Sequence, residues 1–117
     1  MSNPSQVFEQ LMAVVVDRRD NPPERSYTTK LLQGGVPKIG AKILEEATEV
    51  VEAAQEPAGP DQRAHFVYEV GDLLYHLFVL LGQQRVDLEE VSSELARRFG
   101  TSGLDEKAAR KAAEKDE

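Results

Sequence analysis

Residues 66–81 read FVYEVGDLLYHLFVLL and form the most apolar stretch of the chain. Its apolar side chains cover more than one side of a helix, and a helix that is apolar almost all round is usually buried. Two acids, Glu69 and Asp72, lie within this stretch at a spacing that puts both on one helix face. Because an unpaired buried charge is costly, the stretch predicts a core helix whose acids have a specific partner.

A second stretch, KIGAKILEEATEVVEAA at residues 38–54, carries a matching pair of acids, Glu46 and Glu49. Apolar residues recur through it at helical spacing, which predicts a helix with one buried stripe. The members of that stripe are Ile39, Ile43, Ala47, Val50, Val51 and Ala54. Two helices that each contribute two carboxylates are therefore expected to lie near each other.

The remaining pattern is also helical. Asn3 with Pro4 behind it predicts the start of a first helix, and Asp87 with Glu90 three residues later has the spacing of a capping box. The long helices are expected at about residues 4–19, 37–56, 62–84 and 88–99, with a helical turn at 28–32. The paired glycines 34–35 are expected to end that turn.

These elements predict an all-α fold, a bundle of about four helices plus a helical C-terminal tail. At 117 residues the chain is expected to be a single domain, 1–117, with residues 101–117 as a charged and partly frayed tail. The third helix has more apolar surface than so small a chain can cover. We therefore expect a homodimer to complete the core.

Composition excludes several classes of function. The chain has no cysteine, so disulfides and thiolate metal sites are excluded. Its net charge of −7 without an evident basic face argues against nucleic-acid binding. The sequence shows neither a signal peptide nor an uninterrupted apolar run of about 18 residues, so we expect no membrane partner and a cytoplasmic location.

The four carboxylates predict a metal site. Oxygen-rich pockets suit hard divalent cations, so Glu46, Glu49, Glu69 and Asp72 are candidate ligands of Mg²⁺, with Mn²⁺ as a plausible substitute. Mg²⁺ commonly acts on phosphates, and a carboxylate outside the metal's ligands could serve as general base. The alternative is that these acids face solvent or pair with lysines.

Further candidates could contact a phosphate-containing substrate. Lys30, Lys38 and Lys42 could pair with phosphates, although Lys42 is also spaced to pair with Glu46 on the helix surface. His76 is a candidate ligand, base or substrate contact, but a single histidine in an apolar helix is more often a satisfied core residue.

The segment between the proline-rich and glycine-rich breakers is expected to be a loop or short turn. Its Ser26, Tyr27, Thr28 and Lys30 are candidate substrate contacts, since such segments commonly carry them. The alternative is that this segment is a structural connection.

With these residues in view, the chain resembles the phosphoribosyl-ATP pyrophosphohydrolases of histidine biosynthesis, a branch of the all-α NTP pyrophosphohydrolases. The superfamily pattern, Glu-x-x-Glu followed by Glu-x-x-Asp, is matched by the four acids in order. The branch is matched by SYTTKLLQGG at 26–35, EVGDLLYHLFVLL at 69–81 and ELARRFGTSGLDEKAAR at 94–110. One departure is Ala41, where family members often have a second lysine beside Lys42.

The resemblance implies a nucleotide substrate, a helical homodimer and Mg²⁺-dependent hydrolysis of 1-(5-phosphoribosyl)-ATP to 1-(5-phosphoribosyl)-AMP and pyrophosphate. The candidate catalytic carboxylates are Glu45, Glu46, Glu49, Glu69 and Asp72. Two other functions stay open from the residues alone. One is a house-cleaning pyrophosphohydrolase for other nucleoside triphosphates, and the other is a non-catalytic helical dimerisation module.

Overall fold

The computed structural model describes residues 3–100 and 103–115, apart from the side chains of residues 106 and 115. Throughout these ranges the regular structure is helical, which confirms the all-α prediction. The helices are α1 (Pro4–Asp20), α2 (Tyr27–Ala54), α3 (Pro60–Gln83), α4 (Leu88–Arg97) and α5 (Gly103–Lys115). Residues 101–102 and 116–117 of the expected frayed tail lie outside the described residues.

The chain divides into two compact units, Met1–Val86 and Asp87–Glu117. The first unit contains α1, α2 and α3, in which α2 and α3 form the largest helix–helix contact and α1 packs mainly on α3. The second unit contains α4 and α5. At the start of α4 the Glu90 carboxylate accepts a hydrogen bond from the Asp87 N–H at 2.8 Å, as the capping-box spacing predicts.

The core of the first unit takes side chains from all three of its helices. Its largest fully buried side chains are Val15 of α1, Leu31 and Ile39 of α2, and Val79 of α3. Leu31 and Ile39 lie on opposite sides of a break in α2. Both halves of this helix are therefore anchored in one core.

That break is at Gly35, whose φ of 69° and ψ of −163° are not helical. This combination is essentially restricted to glycine. The prediction that the glycines end the first helical segment is confirmed, because Gly35 interrupts the helix. That segment is longer than the predicted turn at 28–32, since it begins at Tyr27, and helix resumes directly after Gly35.

Burial differs from the sequence prediction on one face of α2. Val51 is 57% exposed and Ala54 is also exposed, so the prediction that both are buried is wrong for the single chain. Ala53 is buried instead. On α3, Phe78 is covered within the chain by Phe8 of α1, with ring centroids 5.6 Å apart, whereas Val67 and Tyr68 stay exposed.

By length and composition alone, α3 is apolar enough to cross a membrane. The core helix of a soluble protein passes the same test, so this is weak evidence. In this fold α3 packs against α1 and α2 and carries Glu69 and His76 as buried polar residues.

Candidate functional site

The α2–α3 contact brings three of the predicted carboxylates together. Oxygens of Glu46, Glu49 and Glu69 lie within 4.8 Å of one another, close enough to bind one cation. Glu46 and Glu49 are three residues apart on α2, so they share the face that meets Glu69 of α3. We call these three residues the carboxylate cluster.

Two of the three acids in the carboxylate cluster, Glu46 and Glu69, are buried. Glu46 is 6% exposed and Glu69 is 8% exposed, and neither Glu46 Oε2 nor Glu69 Oε2 has a hydrogen-bond partner among the described residues. Burying an ionised carboxylate without a partner is strongly unfavourable.

The pKa values in the cluster respond to this burial and to the closeness of the acids. Burial, followed by the nearby Glu49, raises the pKa of Glu46 to about 7. A hydrogen bond to Glu69 is the largest cause raising the pKa of Glu49. Three acids that lie this close together disfavour one another's ionised forms when no cation is bound.

The other two candidate acids lie outside the cluster. Asp72 is near enough for its charge to raise the pKa of Glu46, but it is not among the three converging side chains. The Glu45 carboxylate accepts a hydrogen bond from Lys42 Nζ at 3.3 Å. Lys42 therefore pairs with Glu45 and not with Glu46, the partner that the spacing suggested.

The start of α2 is joined to α3 by side-chain hydrogen bonds. Ser26 caps α2, with its Oγ accepting from the Thr29 N–H at 3.2 Å. Thr28 Oγ1 and the Tyr75 hydroxyl form a hydrogen bond across the two helices. Ser26 and Thr28, both predicted as substrate contacts, thus have structural partners, and Tyr75 is a member of this region that the sequence did not reveal.

His76 is a buried and fully bonded histidine. It is 4% exposed, its Nδ1 lies 2.8 Å from the backbone oxygen of Asp72, and its Nε2 lies 3.1 Å from the Tyr27 hydroxyl. A carbonyl only accepts, so Nδ1 donates to the Asp72 backbone oxygen. Both ring nitrogens of His76 therefore have partners within the chain, as expected of a satisfied core residue, and its contact with substrate stays a prediction.

Tyr27 is the exposed member of an aromatic group with Tyr75 and His76. Its ring stacks on Tyr75 at a centroid distance of 6.2 Å and meets His76 edge-on at 6.0 Å. With half of its surface exposed, Tyr27 offers a fixed aromatic face to a ligand. The pairing could not be read from the sequence because the partners lie on different helices.

The candidate lysines all belong to α2. Lys30 and Lys38 are exposed, and Lys42 is half-buried in its pair with Glu45. The Lys38 side chain lies over Gly34, where an added Cβ would collide with it. Gly34 thus leaves room for the aliphatic part of Lys38.

His65 is the site residue that sequence reasoning missed. Its Nδ1 lies 2.9 Å from Glu56, and its Nε2 lies 3.2 Å from Glu69 Oε1. The hydrogen bond to Glu56 is the main cause raising the pKa of His65. The i,i+4 spacing of His65 and Glu69 on α3 could have indicated their contact. Glu56 lies beyond the end of α2, so no helical spacing indicated its contact with His65.

Known proteins resemble this chain over most of its length. The family model for phosphoribosyl-ATP pyrophosphohydrolase matches residues 8–99, a range that includes the whole carboxylate cluster. A phosphoribosyl-ATP pyrophosphatase of Rhodopirellula baltica is 54% identical over 107 residues, which are 90% of this chain and 87% of that protein. Proteins of the same name from Trichlorobacter lovleyi and Rhodobacter capsulatus are 47% and 48% identical, covering 95% and 88% of this chain and 99% and 96% of their own.

Proposed function

The chain belongs to the phosphoribosyl-ATP pyrophosphohydrolase family, and we therefore propose that it hydrolyses 1-(5-phosphoribosyl)-ATP to 1-(5-phosphoribosyl)-AMP and pyrophosphate in histidine biosynthesis. The observation that carries the proposal at the level of residues is the carboxylate cluster. Three acids converge between two helices, and two buried oxygens among them have no hydrogen-bond partner in the described part of the chain. Keeping these acids ionised in a buried place is costly, and a bound cation would offset that cost.

The donor set fits a hard divalent cation, and we assign Mg²⁺, with Mn²⁺ as a substitute. Glu46, Glu49 and Glu69 would bind it, and Asp72 is close enough to act as a further ligand or through its charge. When bound, the cation would neutralise charge on the departing pyrophosphate and lower the pKa of a bound water.

The remaining steps belong to protein side chains. A carboxylate that does not bind the cation is needed to take a proton from the attacking water. Glu45 lies outside the three converging acids and accepts a hydrogen bond from Lys42, so it is the candidate general base. Water would attack the α-phosphorus, and the bond from that phosphorus to the departing pyrophosphate would break.

Substrate contacts are assigned to the first half of α2. The exposed Lys30 and Lys38 would pair with phosphates, and the exposed face of Tyr27 could stack on a planar part of the nucleotide. Lys42 would also bind a phosphate, once its hydrogen bond to Glu45 is replaced by one to the substrate. His76 would act through Tyr27, because both of its ring nitrogens are already bonded.

Two broader features remain part of the proposal. The exposed apolar residues of α2 and α3 support a homodimer, and the absence of cysteine and of net positive charge suits a cytoplasmic enzyme that does not bind nucleic acid. Relatives named for a biosynthetic step support the same location.

A substrate panel tests this function. Purified protein with Mg²⁺ should release pyrophosphate from phosphoribosyl-ATP much faster than from ATP, dCTP or dUTP. Excess EDTA should stop the reaction, and Glu49→Gln should abolish it while Glu52→Gln, a change at an exposed acid of the same helix, leaves it intact. Comparable rates on ordinary triphosphates would favour a house-cleaning role, and turnover in EDTA would refute the metal assignment.

A further inference from the structure

His65 links the end of α2 to the carboxylate cluster. The residue lies on α3, one turn before Glu69, and contacts both Glu69 and Glu56. Its Nδ1 lies 2.9 Å from each of the two Glu56 oxygens, and its Nε2 lies 3.2 Å from Glu69 Oε1. Because ionised carboxylates only accept hydrogen bonds, both ring nitrogens donate in this arrangement.

The contact makes the two oxygens of Glu69 unequal. Oε1 accepts from His65, whereas Oε2 is buried and has no hydrogen-bond partner within residues 3–100 and 103–115. A carboxylate held at one oxygen has a fixed orientation, so the other oxygen is the one available to a cation. Ligands of bound metals are commonly held in this way by neighbouring side chains.

Glu56 holds the histidine in turn. The His65 side chain is 44% exposed, so packing alone does not fix its ring. Glu56 follows the end of α2, and both of its carboxylate oxygens accept from His65 Nδ1. This contact orients Nε2 of the ring towards Glu69. The three side chains form a continuous chain of hydrogen bonds from the surface to the buried cluster.

We propose that His65 is a positioning residue that holds Glu69 ready to bind the cation, and that Glu56 acts on the cluster only through His65. This inference rests on the proposed function, since it assumes that the cluster binds a divalent cation. Glu56 and His65 stand outside the four carboxylates of the superfamily pattern.

The sign of the effect distinguishes positioning from charge. If His65 acted only as a positive charge beside the cluster, its removal would strengthen cation binding by removing repulsion. If it positions Glu69, its removal weakens binding despite the lost repulsion. His65→Gln separates the two effects, because its amide N–H can donate to Glu69 without the charge.

The test measures Mn²⁺ affinity by electron paramagnetic resonance, alongside kcat, KM and thermal stability. His65→Ala should weaken Mn²⁺ binding by about 10- to 100-fold, the usual effect of losing such a partner, with a lower kcat and little change in KM. His65→Gln should recover most of the affinity. Glu56→Ala should weaken binding in the otherwise unchanged protein and have no further effect when combined with His65→Ala.

Gln62→Ala is the matched control. Gln62 Nε2 donates to the Ala53 backbone oxygen at 2.9 Å, so it also ties the start of α3 to the end of α2 but does not contact the carboxylate cluster. This variant should lose thermal stability and keep its Mn²⁺ affinity. If His65→Ala behaves in the same way, or binds Mn²⁺ more tightly, or is not rescued by His65→Gln, the positioning role is refuted.

The same measurements separate this inference from the proposed function. Glu49→Gln should remove Mn²⁺ binding whatever His65 does, because Glu49 belongs to the cluster. If the unchanged protein binds no Mn²⁺, or Glu49→Gln binds it normally, both the metal site and the role of His65 fail. If only the His65 variants behave as unchanged protein, the metal site stands and the positioning role alone fails.

Discussion

Glu46 is the residue at which burial and charge oppose each other most directly. Burial raises its pKa to about 7, and the neighbouring acids of the cluster act in the same direction. In the absence of metal the ionised form is therefore less favourable in the folded protein than in the unfolded chain. The residue has a cost to stability that a bound cation would reverse.

This cost predicts how the stability of the metal-free protein depends on pH. Between the ordinary pKa of 4.5 and about 7, the folded state keeps a proton on Glu46 that the unfolded state releases. The contribution of Glu46 to stability should therefore fall as pH rises through this window and level off above it, while the raised pKa values of Glu49 and His65 add to the overall fall. Urea denaturation in EDTA at pH 5, 6, 7 and 8 measures this. Glu46→Gln should flatten the profile, whereas Glu52→Gln should not, and an equal slope in both variants would contradict the assignment to Glu46.

Lys30 tests whether the start of α2 contacts substrate. Its side chain is exposed and lies one turn into the helix that Ser26 caps. A charge-assisted contact with phosphate is typically worth about 1.5–3 kcal/mol, so Lys30→Ala should lower kcat/KM for phosphoribosyl-ATP by roughly 10- to 100-fold. Mn²⁺ affinity should stay the same.

Lys107→Ala, which removes an exposed lysine from α5, is the control for lost charge and should leave kcat/KM unaltered. An unchanged kcat/KM in Lys30→Ala would make the segment a structural connection only.

At the scale of the helices, the α1–α3 contact depends on a glycine. A Cβ at Gly82 would lie 2.5 Å from Val15 Cγ1, and Val15 is fully buried. The Gly82 carbonyl also accepts a hydrogen bond from Arg19 at 2.8 Å, which ties the end of α1 to α3. The close approach of these helices leaves no room for a side chain at this position.

Gly82→Ala should therefore destabilise the protein by about 1–3 kcal/mol, the usual cost of overpacking a core. Gly71→Ala on the same helix is the matched control, because nothing lies within 4 Å of its added carbon. That change should be neutral or should stabilise by up to about 1 kcal/mol through helix propensity. Denaturant unfolding of both variants measures the difference, and equal effects would show that the contact with Val15 is not the cause.

The sequence predicted which residues share one face of a helix, but it did not predict which side chains meet between two helices. The spacing of Glu46 and Glu49 placed them on one helix face, and the apolar surroundings of Glu69 indicated a buried acid with a specific partner. The bond between His65 and Glu56 depends on how α3 is aligned with the end of α2, which spacing along one helix does not fix. The interruption of α2 at the paired glycines was predictable, but the length of the helical segment before it was not, and helix resumes after the single residue Gly35 without a connecting loop.

At the scale of the whole molecule, α2 and α3 keep large apolar side chains in solvent. Leu44 is 72% exposed and Val51 is 57% exposed, and their separation of seven positions, about two helical turns, places both on one face of α2. Val67 and Tyr68 of α3 are 62% and 66% exposed. Phe78 of α3 is covered by Phe8 of α1 within the single chain, so it is not part of the surface available to a second copy.

We expect a homodimer that covers these side chains. A two-fold interface uses the same patch twice, so one substitution introduces two charges into it. Val67→Lys should therefore convert the dimer to a folded monomer, because the side chain is exposed in the single chain and its loss leaves the core intact. Val14→Lys, at a 44% exposed position on α1, should remain dimeric. Light scattering at micromolar concentration gives the masses, and an unchanged protein that remains folded at the single-chain mass of 13.0 kDa would rule out the dimer.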